Sequence, residues 1–445
     1  MSPRLIRWGG FLGSCATAGT AVLGGAGYER LPSVNPGTLL SGQRGVLLPI
    51  LWVTGITVLI LAWWYGRHAV PSIRWALLTA ALWYLPLLPV LPLGSADVYS
   101  YACQGWVQHV GGDPYAGGVG GSGCPWLTSV DPTWAASPAP YGPLFLLLAG
   151  LAAAAGSLAG VIAGLRLIAL LGLALLAVGV PVLARRLGID PARALWIVLA
   201  CPLVLIHLVS GAHNDALMAG LIVCGLALAA ARPDPRGLVL AGAVLGLAAG
   251  VKATAIVVLP FAVILATRPL WRSIVSVAAG TLLATAALTL LSHRGTGWVG
   301  GLLHSGDTVA WTSPSTAVGI ILSPFFGAKA IEATRLIGVL ALVVILVALW
   351  FHALRHGDPI RHAGLALAAT VLCAPVFHPW YAVWPLAVLL RGRLLLALCA
   401  LAATLTTPAG YNWALYTRVP GAIVVTAALL VVAAIGVRRA RRVAA

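Results

Sequence analysis

Apolar runs of about 15 to 22 residues recur from one end of this sequence to the other, each closed by arginines or by a proline or glycine turn. A helix of that length crosses a hydrocarbon core about 30 Å thick, and water would not tolerate so many of them in one chain. Composition agrees: 60% of the 445 residues are hydrophobic and 8% are charged, where a soluble domain carries roughly a quarter charged residues. Lipid offers backbone amides no partner, so spans must be helices or closed barrels, and these runs lack the two-residue alternation of barrel strands. The fold class expected is an all-α integral membrane protein, a polytopic helical bundle of about 12–14 transmembrane helices.

Spans are expected near 8–27, 46–65, 75–92, 160–184, 194–211, 216–231, 237–250, 254–268, 273–291, 333–353, 363–378, 381–391, 394–410 and 419–436. Several are short for the core, and the pair 237–250 with 254–268 suits a re-entrant or broken helix. The formal charge of +17 comes from 27 basic against 10 acidic residues, but it forms no patch on a polar domain and so does not indicate nucleic acid. Arginines cluster instead in short turns such as 185–193, 232–236, 268–272 and 355–361, which the positive-inside rule makes cytoplasmic, with both termini. The runs 143–157 and 317–327 then have to lie flat in the interface for the crossings to alternate. Residues 1–445 read as a single transmembrane domain, whose largest extracytoplasmic loop is 93–142, and no soluble domain or internal repeat stands out. Arg4 and Arg7 precede an apolar run, which reads as a retained first span rather than a cleaved signal.

Cys15, Cys201, Cys224, Cys373 and Cys399 lie in apolar stretches and read as small core residues. Cys103 and Cys124 share the large loop, where an oxidising compartment would allow them to pair or leave them free, since spacing alone does not supply the geometry.

Carboxylates are few enough to place individually. Asp190, Asp234 and Asp358 stand in Asp-Pro turns, and Glu29 and Glu332 at span ends near Arg30 and Arg335, where turn and anchoring roles suffice. Asp97, Asp113, Asp131, Asp215 and Asp307 all fall on the non-cytoplasmic side. Asp97, in Ser95-Ala96-Asp97-Val98-Tyr99-Ser100-Tyr101, follows directly on a span, where a general base would meet a lipid head group and a water-borne molecule together. Helix capping explains the same residue equally well. Gly112-Asp113-Pro114-Tyr115 and Pro140-Tyr141-Gly142-Pro143 make rigid turns with flat aromatic faces that suit sugar rings, or are simply turns. In Gly211-Ala212-His213-Asn214-Asp215, a ring, an amide and a carboxylate sit where one span ends and the next begins, again with capping as the plain alternative.

Only Lys252 and Lys329 break the arginine preference. Lys252, in an apolar hairpin, would be costly unpaired and suits a phosphate, or it snorkels to the interface. Phe377-His378-Pro379-Trp380-Tyr381 reads as an interfacial belt or a head-group site. No metal-ligand spacing, phosphate loop or dinucleotide fingerprint is present, with His293 and His304 too far apart to count, so a membrane-dissolved activated lipid is the expected form of reactant. A transporter or lipid-linked sugar flippase would also be a bundle of this size. Its ionisable residues would sit near the midplane, whereas these acids crowd one face.

In this order, Asp97-Val98-Tyr99-Ser100-Tyr101, Gly112-Asp113-Pro114-Tyr115, Pro140-Tyr141-Gly142-Pro143, Gly211-Ala212-His213-Asn214-Asp215, Val251-Lys252 and His378-Pro379-Trp380-Tyr381 span a region from about residue 75 to 415. That region resembles the actinobacterial polyprenol-phosphomannose-dependent α(1→6)-mannosyltransferases of the MptA/MptB type, in the GT-C class of membrane glycosyltransferases. The resemblance implies inverting transfer of mannose from polyprenyl-phosphate-mannose to a mannan or lipomannan acceptor, at the outer face of the cytoplasmic membrane, with the site facing the periplasm or exterior. It implies Asp97 as catalytic base, with Asp113 and Asp215 as alternates. Lys252, His213 and His378 would hold the donor phosphate, and Tyr99, Tyr101, Tyr115, Tyr141, Asn214, Trp380 and Tyr381 the sugar or acceptor. No cofactor is implied, and metal dependence stays open.

Overall fold

The structure, a computed structural model, describes residues 1–24, 46–266, 269–305, 309–404 and 418–444. Glu29 and Asp307 therefore lie outside the described residues. Every regular element among them is helical. Among the described residues, four helices are long and apolar enough to cross a bilayer: Leu47–Gly66, Leu158–Arg186, Leu270–Ser292 and Lys329–His356. Shorter apolar helices of 10–17 residues occupy the short runs, and 17 residues rise about 25 Å, slightly less than the hydrocarbon core. The apolar run after the large loop forms Pro143–Ala153, whose 11 residues rise about 16 Å and cannot cross alone.

Sequence chemistry sets the helix ends. Asp190 accepts a hydrogen bond from the Arg193 amide at 2.9 Å, and Asp234 accepts from the Arg236 and Gly237 amides at 3.0 and 3.2 Å, so the two Asp-Pro turns are helix N-caps. Two expected spans are corrected. The run 194–211 is not one helix: Pro191–Leu199 and a π-helical turn, Val204–Ser210, meet at 67°. Pro202 lies at the break, where it cannot continue the first helix but can start the second. The run 381–391 is a helix of 7 residues, Val383–Leu389, buried on nearly all sides, so it is a plug in the bundle and not a crossing. The expected break between 237–250 and 254–268 is present: Pro235–Val251 ends at Lys252, whose backbone is extended, and a 3-10 turn, Ala253–Val258, follows.

The centre of the bundle is a row in which Leu158–Arg186 packs on Asp215–Ala231, that helix on Pro235–Val251, and that in turn on Leu270–Ser292. Glycine makes the first contact possible. A Cβ on Gly172 would lie 2.3 Å from the Ala216 carbonyl carbon, and one on Gly220 would lie 2.4 Å from the Gly172 oxygen. Backbones that close gain dispersion contacts, which drive helix association where lipid removes the hydrophobic term. At the rim, the most apolar stretch of Lys329–His356 is only 6% buried, against 50% for Leu158–Arg186, so the outer helix turns its leucines and valines to lipid. The loop helix Asp97–His109 lies against Pro143–Ala153, and a Cys103–Cys124 disulfide ties it to the rest of the large loop.

Candidate functional site

Five separate segments meet at one end of this row. The first is held by a buried cation. Arg166, inside Leu158–Arg186, donates from Nη1 to the Leu88 carbonyl at 2.5 Å and from Nη2 to the Val90 and Ser210 carbonyls at 2.6 and 3.0 Å. That staples the 88–93 segment onto the π-helical turn. Gly94 then turns with φ +80, and a Cβ there would meet Ile206 and His207 side chains at 2.7 and 2.9 Å, so only glycine lets the chain pass. The helix carrying Asp97 starts immediately afterwards, with the Asp97 amide donating to Ser95 Oγ at 3.0 Å. The N-cap residue is Ala96, whose methyl cannot cap, so the first amide is met by Ser95 from the position before it.

The second and third segments approach through their backbones. The Gly142 amide donates to the Val251 carbonyl at 3.0 Å, and a Cβ on Gly142 would sit 2.4 Å from the Gly250 oxygen. This brings Tyr141 beside Lys252. In the fourth segment, Ala212 has φ +52, an unfavourable backbone for a residue with a Cβ. It presents His213, Asn214 and Asp215 together, each at most 1% exposed. The fifth is the short 3-10 turn Pro379–Ala382 and the plug helix, which supply Trp380, Tyr381 and Trp384.

Two carboxylates organise the space. Asp215 is sealed: its Oδ1 accepts from Lys252 Nζ at 2.9 Å and from Trp384 Nε1 at 2.7 Å. Lys252 is thus neither unpaired nor snorkelling: the fold brings a carboxylate to it from 37 positions away, a partner that the sequence reading did not weigh beside a phosphate. Its ammonium also lies 4.5 Å from the Tyr381 ring and 5.2 Å from that of Trp384, which stack on each other at 4.3 Å. Neither Asp215 nor Asn214 caps its helix with a side-chain bond.

Asp97 differs. Its side chain is 15% exposed, and its Oδ2 stands 3.9 Å from His213 Nδ1, too far to be a hydrogen bond. That nitrogen is instead 3.0 Å from the Tyr101 hydroxyl. Burial pushes the Asp97 carboxyl up to about 6, opposed by a Ser95 hydrogen bond and the Lys252 charge. Burial, followed by His207, Lys252 and His378, holds His213 well below the usual imidazole range, and burial with Lys252 and His207 takes His378 down to about 3. Both rings are neutral at ordinary pH. They stack on Trp380 at 4.0 and 4.7 Å, and His207 touches the same indole at 4.9 Å.

Asp97, Tyr101, Tyr141, His213, Asn214, Asp215, Lys252, His378, Trp380 and Tyr381 therefore come together. Tyr99 is instead close to Arg166, and Tyr115 braces the site from behind, its hydroxyl donating to the Tyr141 carbonyl at 2.9 Å. Asp113 is elsewhere: exposed, accepting from the Tyr115 amide at 2.9 Å, and lining a separate cavity of about 420 Å³ with Trp106, Val110 and Ser122. Sequence reading missed Arg166, His207 and Trp384. The first two carried a signal, an ionisable side chain inside an apolar run. Trp384 carried none, being one more aromatic in an apolar stretch.

Two family profiles match the chain: one described as "Alpha-(1->6)-mannopyranosyltransferase, N-terminal domain" over residues 7–268, and one described as "MptB C-terminal domain" over residues 315–437. Among curated proteins, alpha-(1->6)-mannopyranosyltransferase A of Mycobacterium tuberculosis is 36% identical over 398 residues, covering 82% of this chain and 76% of that protein. A probable alpha-(1->6)-mannopyranosyltransferase of Mycolicibacterium smegmatis is 34% identical over 384 residues, 74% of this chain and 68% of that one. Alpha-(1->6)-mannopyranosyltransferase B of Corynebacterium glutamicum is 27% identical over 441 residues, 86% of this chain and 73% of its own length. No solved structure matches the chain.

Proposed function

This chain belongs to the MptA/MptB family of alpha-(1->6)-mannopyranosyltransferases, and from that membership we propose a donor, an acceptor and roles for its residues. The enzyme moves mannose from a polyprenyl phosphate to the 6-hydroxyl of a mannan or lipomannan chain, at the outer face of the cytoplasmic membrane. The acceptor oxygen bonds to mannosyl C1 as the bond from C1 to the phosphate oxygen breaks. The hydroxyl proton passes to Asp97, and the electron pair leaves with polyprenyl phosphate. One displacement on a β-linked donor gives an α product.

The observation that carries this reading is the contrast in exposure around the polar group: of its two carboxylates, Asp97 alone is partly open, at 15%, while Asp215 is at 0%. A base must touch a substrate proton, and a carboxyl near 6 is largely ionised at neutral pH yet basic enough to take one. Lys252, anchored on Asp215 through one of its three N–H bonds, has others to offer the departing phosphate. His378 contributes as a neutral ring. The Cys103–Cys124 disulfide supports an oxidising location for the large loop, hence an exterior site.

The test is transfer of labelled mannose from polyprenyl-phosphate-mannose to a short α(1→6)-mannoside by purified wild type and Asp97→Asn. Undiminished transfer by the variant would remove Asp97 as base. Labelling of the 93–142 loop from the cytosolic side would put the chemistry in the wrong compartment.

A further inference from the structure

Around the turn that holds His213, buried polar atoms are left without protein partners. Among the described residues, His207 Nδ1 and Nε2, His213 Nε2, Asn214 Nδ2 and Oδ1, and Asp215 Oδ2 have none, although all four residues are at most 1% exposed. A buried polar atom that makes no hydrogen bond is costly, so a set this dense marks a place that something else completes.

The chemistry of the set narrows what that is. The Tyr101 hydroxyl and His213 Nδ1 share one hydrogen bond at 3.0 Å, which leaves His213 Nε2 as a donor or an acceptor according to the tautomer. Asn214 supplies one donor and one acceptor group, and the two ring nitrogens of His207 another such pair. Donors and acceptors are thus mixed and nearly balanced. None of these atoms carries a positive charge that would draw a phosphate, since Lys252, on the other oxygen of Asp215, stands outside the set. A group that gives and takes hydrogen bonds at adjacent atoms and carries no charge is a polyol.

Position supports the same occupant. His207 lies in the π-helical turn Val204–Ser210, a geometry that recurs at functional sites because it re-aims side chains. It abuts Gly94, three residues before Asp97, and its ring centre is 5.7 Å from that of His213, whose Nδ1 is 3.9 Å from Asp97 Oδ2. The unpartnered atoms therefore border the carboxylate assigned as base, and the Trp380 indole backs both imidazoles.

We propose that His207, His213 and Asn214 form a hexose subsite that binds sugar hydroxyls, so that His213 serves the sugar and not the phosphate. The inference rests on the mannosyl-transfer reading above and deepens it by naming His207 as a specificity-determining residue. The hexose is either the donor's or the acceptor's, since their chemistry is shared.

His207→Phe tests it, because a ring stays against Trp380 and Gly94 while both nitrogens go. His207→Gln serves as the variant that restores hydrogen bonding, and thermal unfolding in detergent confirms that both fold. The expected result for His207→Phe is a fall of about 10- to 100-fold in kcat/KM, with loss of preference for a mannosyl donor over its 2-deoxy analogue and partial return in His207→Gln. A KM rise confined to one substrate identifies whose sugar is held. Inhibition by sugar-free polyprenyl phosphate should keep its Ki. An equal weakening of that inhibition, or full retention of sugar preference, would overturn the subsite. A second arm is independent of the donor: saturation-transfer NMR with methyl α-D-mannopyranoside, expected positive for wild type and lost in His207→Phe. A wild type that binds the glycoside but transfers nothing from polyprenyl-phosphate-mannose would defeat the transfer reading and keep the subsite. No binding by wild type would defeat the subsite.

Discussion

Asp97 and Asp215 are the same side chain in two surroundings, and the difference assigns their work. Asp215 has two strong donors at 2.9 and 2.7 Å and no exposure, so its negative charge is committed to holding Lys252. Asp97 has no cation within ion-pair distance among the described residues, a carboxyl raised to about 6, and a partly open face. A carboxylate held by a cation and an indole N–H is a poor base, and one that is desolvated with no cation beside it is a good one. In the proposed mechanism, these two acids of one polar group serve as an anchor and a reagent.

The largest effect should come from the reagent. Asp97→Asn removes proton acceptance with little change of shape and should lower kcat by about 10²- to 10⁴-fold, measured by mannosyl transfer, with unfolding in detergent unchanged. An Asp215→Asn enzyme losing activity that strongly while Asp97→Asn keeps it would exchange the two assignments.

Next comes the anchor. Lys252→Met leaves Asp215 buried and charged without its partner, which should destabilise the fold by about 3–5 kcal/mol. The double variant Lys252→Met with Asp215→Asn should regain part of that loss, because the uncompensated charge is gone. Equal stability of the single and double variants would show that the pair holds nothing together. Trp384→Phe keeps the ring against Tyr381 and removes one bond to the carboxylate, so a smaller cost of about 1–3 kcal/mol is expected from thermal unfolding.

The pH profile sharpens the contrast without a substitution. Because the Asp97 carboxyl is raised to about 6, kcat/KM should be level above that pH, where the base is ionised. It should fall about tenfold per unit below it, as the group protonates. A profile flat through this region would detach the raised carboxyl from catalysis. The smallest effect belongs to Asp113→Asn, exposed and outside the group, where stability should shift by less than about 0.5 kcal/mol and transfer by less than a factor of about two.

What could be seen in the sequence was whatever depends on a residue's near neighbours or on lipid. Apolar runs announced a helical membrane protein, and Asp-Pro turns at Asp190 and Asp234 announced helix starts that the amide bonds then displayed. The candidate site was legible as a set of motifs, since polar residues in so apolar a chain are conspicuous. Pairings were not. The partner of Lys252 comes from another helix and the donor from Trp384 is 169 positions from its acceptor, distances over which no local pattern operates. His207 stayed hidden because its run read as one span, and the break at Pro202 that re-aims it depends on how that span packs.

The bond from the Gly142 amide to the Val251 carbonyl has a mechanical implication. It welds the end of the large loop to Val251, next to the lysine proposed to steady the leaving group, so the roof and that part of the floor travel as one piece. A bulky polymer admitted by swinging the roof would drag the lysine with it. Entry that leaves the Lys252–Asp215 pair undisturbed has to bend the roof further upstream, where Gly111 and Gly112 follow the loop helix.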